Sequence, residues 1–252
     1  MVAVSLNKQI DDVFSGYSKL ETPEERKEHK VEGSLMFEGF EELVKIYLGL
    51  FEIEGLYPFY ANEAIINDIN EVLAPEQINA FLQATAKYDT HRYYDWCTGL
   101  LISKLIRNSY NSGYNDFYFN TRSLERIEHL GKSIQGKPKE PIKVTIDGDV
   151  GSWCGDSSRY SIFEIKGNAE FCCGGGSYFS TYIIGGEIEG QCGCHPYSDY
   201  GGKMENPRGL IFKTRNKENL PKIIHSFSIN KIEGCKAYFI NGNGEEELVW
   251  DK

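Results

Sequence analysis

Sulfur and imidazole converge at Cys192, Cys194 and His195, with Asp199 following four residues later. Thiolates and an imidazole at such short spacing are ligands for a soft ion, so zinc or an iron–sulfur cluster is the chemistry this stretch suggests. It offers half of a tetrahedral site, because the second ligand pair that makes such motifs specific is missing from the sequence. Cysteine also recurs upstream: Cys154, Cys173 and Cys192 stand 19 residues apart. Thiols at one level of a repeat form a line, whereas zinc takes a tetrahedron. They share an alternating face with Ile165 and Ile184, where a free thiol behaves as a small hydrophobe. That column reads as core.

Two other sets carry chemistry on paper. His91 and Asp95 are one helical turn apart with Cys97 beside them, the makings of an oriented base or a Cys/His nucleophile. Cys97 falls in an apolar stripe and nothing supplies an oxyanion site, so a surface i, i+4 pair is the plainer reading. The stretch after Cys194 offers Tyr197, Asp199, Tyr200 and Arg208 as a candidate interaction loop. Phosphate loops, dinucleotide fingerprints, nucleophile elbows and His-Glu-x-x-His motifs are absent from the sequence.

The elements that must position these residues begin with a phrase written three times. Ile146 to Gly155, Ile165 to Gly174 and Ile184 to Gly193 repeat Ile, Gly, Cys and Gly in register at a spacing of 19. A short fixed period marks a solenoid, each rung burying its apolar face against its neighbours. Counting by twos places Phe163, Ile165, Ala169, Phe171 and Cys173 inward in one rung, with Tyr182, Ile184, Ile188 and Cys192 in the next. Asp149, Asn168 and Glu187 form an outward column in which a neutral amide separates two carboxylates. Phe212 to Asn216 resembles a fourth copy but arrives 30 residues after Tyr182, which places an insertion within Cys194 to Arg208. Ala237 to Ile240 and Glu247 to Trp250 flank a Gly/Asn turn and read as a terminal hairpin.

The first half reads as helical. Residues 7–20 and 22–30 show helical spacing, the latter behind a Thr22-Pro23 start. Phe37 to Leu56, Asn62 to Leu73, the stretch opened by Pro75, and Thr90 to Tyr110 carry apolar residues at i, i+3, i+4. Phe117 to Phe119 suggests a short strand and Thr121 to Leu130 a last helix. Gly136 to Pro141 has linker composition. The expected organisation is an α-helical domain over 1–135 and a second domain over 142–252, with repeats from 142 to 214.

The 252 residues carry 27 Lys and Arg against 37 Asp and Glu, and the net charge of −10 argues against sequence-independent nucleic-acid binding. No apolar stretch approaches the roughly 18 residues that span a bilayer, and no signal-like start is present, so no membrane role is expected. Seven cysteines, three of them at a repeat position, fit a reducing compartment, and the chain reads as cytoplasmic.

The glycines of Gly148-Asp-Val-Gly151-Ser-Trp-Cys-Gly155, repeated at 19, resemble the GXGXG-type right-handed β-helix. That domain occurs at the C-terminal end of the large chain of glutamate synthase and in one component of formylmethanofuran dehydrogenase. The resemblance covers about 70 residues, from Ile142 to Thr214, and departs from the pattern at Cys154, Cys173 and Cys192 and at Glu170 and Glu189. It implies a scaffold without catalytic residues of its own. The expected fold class is therefore α+β multidomain, an α-helical domain followed by a short single-stranded right-handed parallel β-helix. The expected function is a non-enzymatic scaffold that binds a protein partner or a second copy. The alternatives are a metal or redox protein built on Cys192, Cys194 and His195, and an enzyme with an interdomain pocket.

Overall fold

The computed structural model describes residues 37, 39–52, 64–194, 208–230 and 232–251. The helices expected over 7–20 and 22–30 lie outside them, as do His195, Tyr197, Asp199 and Tyr200. Four α-helices have both ends given, α1 (Phe40–Phe51), α2 (Pro75–Thr85), α3 (Tyr94–Asn111) and α4 (Asn219–Ile229), and residues 64–67 are also helical. Seven strands follow or interleave: β1 (Asp116–Asn120), β2 (Ile142–Asp147), β3 (Ser161–Ile165), β4 (Thr181–Ile184), β5 (Ile211–Thr214), β6 (Lys236–Ile240) and β7 (Glu246–Asp251).

The strands form one sheet in the order β1-β2-β3-β4-β5-β6-β7, parallel from β1 to β6 and antiparallel between β6 and β7. This corrects the expected β-helix. Regular pairing is confined to one side of the repeats, and the sheet ends at β1 and β7 without closing on itself. Elsewhere in each repeat the chains meet only at single-residue bridges such as Val150, Ala169 and Ile188. Left-handed residues at Trp153, Ser157 and Cys172 interrupt the extended backbone there, so no second or third ladder builds up. Helix α4 follows β5 and β7 turns back, ending the run of parallel crossings.

Alternation explains the strands. Ile142, Val144 and Ile146 of β2 are buried while Lys143 is exposed, and β3 buries Ser161, Phe163 and Ile165. Phe163 pairs in register with Tyr182 and Tyr182 with Phe212, the 30-residue offset expected from the sequence. Their rings stack inside at 5.0 Å in each step. The Tyr182 hydroxyl meets Ser158 Oγ and Ser177 Oγ at 2.9 Å and donates to Gly155 O at 3.0 Å. Phe171 departs from the inward count: it is 44% exposed and lies with left-handed Cys172 in a turn, where strand alternation does not apply.

The outward column appears as hydrogen bonds between rungs. Asn168 N donates to Asp149 Oδ1 at 2.7 Å, and Glu187 N to Asn168 Oδ1 at 2.8 Å. The segment from Thr121 to Leu130 is not a helix; Thr121 instead gives its N–H to Asp147 O and its hydroxyl to Asp149 O, tying it sideways to β2. Helix α2 covers the β1 edge, where Gln83 Nε2 donates to Asn120 O and Asn79 Oδ1 accepts from Asn120 N. Strand β1, from the helical half, thus pairs with β2 beyond the Gly136–Pro141 segment. One apolar cluster runs from Leu43 on α1 to Ala237 on β6. Among the described residues no helix is long and apolar enough to cross a membrane.

Candidate functional site

One corner of the repeats stacks Gln135, Arg159, Tyr178, Arg208 and Glu233, joined successively by parallel bridges. The next residue in each rung is Gly136, Tyr160, Phe179, Gly209 and Gly234. Here the backbone turns left-handed, with φ of 48° at Tyr160, 51° at Phe179, 64° at Gly209 and 65° at Gly234. Glycine adopts that conformation freely, whereas a bulky side chain held there costs on the order of 1–3 kcal/mol. Tyr160 and Phe179 carry this strain without reaching the core. Their rings stack on each other at 5.3 Å and 9°, and Phe179 remains 45% exposed. Gly209 lets the Phe179 ring lie flat over its backbone, since a Cβ there would stand 2.5 Å from the ring.

Two guanidinium groups flank the rings. Arg159 lies over Tyr178 at 4.6 Å and Arg208 over Phe179 at 5.7 Å. Both arginines are exposed, and neither forms an ion pair among the described residues. Cation–π contact orients each group but leaves its five donors for a partner.

A second cluster is buried. His129 is 5% exposed, and its ring lies 4.1 Å from Trp96 and 6.1 Å from Trp153, parallel to the latter. Neither ring nitrogen has a hydrogen-bond partner among the described residues. Burial, reinforced by the Lys132 charge, pushes its pKa down to about 3. Burial also raises neighbouring Glu128 to about 7, with Asp95 and Glu170 adding repulsion. A small cleft of about 130 Å³, lined by Ile66, Asn67, Leu100, Ser103, Arg107, Lys132 and Ser133, falls below the roughly 300 Å³ at which small-molecule pockets begin.

Of the expected metal ligands, Cys192 and Cys194 fall within the described residues. Cys192 is a fully buried free thiol whose backbone pairs with that of Cys173, and burial pushes its thiol pKa well up. Cys194 is joined to Cys172 in a disulfide, and His195 is outside the described residues. Among the described residues no group of three His, Cys, Asp or Glu side chains has a metal-binding arrangement. Cys154 and Cys173 are buried, as the core reading of that column anticipates. His91 does not meet Asp95: it stacks on Phe51 at 4.6 Å, while Asp95 accepts the Trp96 N–H. Burial raises Cys97 to about 12, which keeps it a thiol at neutral pH. Of the loop candidates, Arg208 is placed, and it belongs to the aromatic corner.

The chain matches no protein-family model, no curated protein and no solved structure. Geometry therefore carries the functional argument. Tyr160 and Phe179 stand 19 apart, so in the sequence they look like one more matched pair of the repeat. The signal was there: aligning them with Gly209, the residue before Leu210 and Ile211, shows aromatic residues where a later rung has glycine.

Proposed function

We propose that this chain is a non-enzymatic interaction protein, a packed frame that presents side chains to a protein partner at fixed positions. The observation that carries this reading is the Tyr160–Phe179 stack, a half-buried ring and an exposed one held together in strained backbone at the surface. Strain of this kind persists where function keeps it, and exposed aromatic residues beside arginine are the typical anchors of protein interfaces. A photo-crosslinking residue placed at Phe179, with one at exposed Lys143 as control, tests it in the full-length chain. A defined heavier species from position 179 and none from 143 is the expected result. Equal labelling at both positions, or none together with a strictly monomeric elution profile, counts against the reading.

A further inference from the structure

We propose that the strip formed by Arg159, Tyr160, Phe179 and Arg208 takes an acidic, extended peptide segment of its partner; this rests on the interaction reading above. The two rings make a flat apolar plate two rungs long, suited to a proline or aromatic side chain laid across it. The arginines bound the plate from the adjacent column, with Tyr178 between them. At about 4.8 Å per strand their backbones stand roughly 10 Å apart, and a chain in polyproline II conformation, advancing about 3.1 Å per residue and returning to the same face every three residues, covers that in three residues. Two carboxylates at i and i+3, with an apolar residue between, match the strip.

Charge selects the same partner. A guanidinium fork binds a carboxylate through two parallel hydrogen bonds. On a chain of net charge −10, these two guanidinium groups are exposed and without ion pairs among the described residues, a condition that Arg92 and Arg215 share; the ring pair beside them is what sets Arg159 and Arg208 apart. A polyphosphate would meet two arginines and then an acidic body, including Glu233 directly after Arg208 in the column. A short acidic peptide engages the arginines and extends no further.

The test uses fluorescence anisotropy on the full chain with a labelled peptide carrying two glutamates three residues apart around tryptophan and proline. A glutamine analogue and a labelled oligothymidylate serve as comparison probes. The acidic peptide is expected to bind at least tenfold more tightly than the glutamine analogue, and to weaken with added salt. Phe179→Gly, Arg159→Glu and Arg208→Glu are each expected to lose at least tenfold. Phe179→Gly is the decisive variant, because glycine suits the left-handed position and the melting temperature should hold while binding falls. Equal binding of both peptides, binding of neither, or binding unchanged in the three variants overturns the proposal. Oligothymidylate binding lost in the same variants assigns the strip to nucleic acid, and dimerisation lost in Phe179→Gly assigns it to a second copy; either overturns it. Specific crosslinking at position 179 with failure of both peptides overturns the acidic segment alone and leaves the interaction reading standing.

Discussion

At the scale of single residues, burial decides what each titratable side chain can do. His129 refuses a proton until about pH 3, whereas an unfolded chain accepts one near pH 6.5. Below about 6.5 the unfolded state therefore binds more protons, and stability falls with pH by up to about 1.4 kcal/mol per unit until the folded pKa is reached. Glu128 acts oppositely: its raised pKa means that stability is lost as pH rises from the ordinary carboxylate range through about 7. Urea titrations of the native chain and of His129→Phe between pH 4 and 7 should show the acid-side loss in the former and its attenuation in the latter. Parallel curves would rule out the buried neutral imidazole. The cysteines make a second prediction. With Cys172 and Cys194 bonded, thiol titration of the denatured, unreduced chain should find five thiols out of seven. Cys172→Ser should cost about 3 kcal/mol, the loop-closure entropy of a crosslink of this span. Seven titratable thiols would instead restore the reducing-compartment reading, whose support was the cysteine spacing.

At the scale of elements, close backbone approach joins the helices to the sheet. Helix α3 carries Gly99 against the Glu128 carbonyl, where an added Cβ would overlap the oxygen. Backbone is on the other side of that contact, so no rotamer change relieves it. Gly99→Ala should therefore destabilise the protein by about 2 kcal/mol or more, although alanine is the better helix former. A melting temperature equal to or above that of the native chain would show that the helix rides free of this segment. Helix α2 does comparable work by hydrogen bonding, its Asn79 and Gln83 side chains satisfying the open edge of β1. Helices α2 and α3 were readable from apolar spacing and, for α2, from Pro75 at its start; β1 was readable from Phe117 and Phe119. The helix expected over Thr121 to Leu130 was not realised because its polar groups pair with the end of β2 and with the stretch after it as far as Gly155, partners that local spacing does not display.

At the scale of the whole molecule, the apolar cluster crosses from α1 through the rungs to β6, and β1 belongs to the sheet although it precedes the linker-like segment. Halves that share strands and core should lose them together. Unfolding followed by single-tryptophan variants retaining Trp96 or Trp250 should give coincident midpoints. Separate midpoints would mean that the two halves hold themselves together independently. The amino-acid sequence by itself determined the period of 19, the register of Phe163, Tyr182 and Phe212, the cysteine column as core and the outward column of Asp149, Asn168 and Glu187. These follow from side-chain alternation and from residue types recurring at a fixed distance, which are local properties. Only tertiary structure decided that regular pairing stays on one side in an open sheet, that Cys194 bonds Cys172, and that Arg208 lies on the Phe179 ring. Those outcomes depend on where left-handed residues turn the chain and on which distant groups then meet, and neither is written in the spacing of the residues.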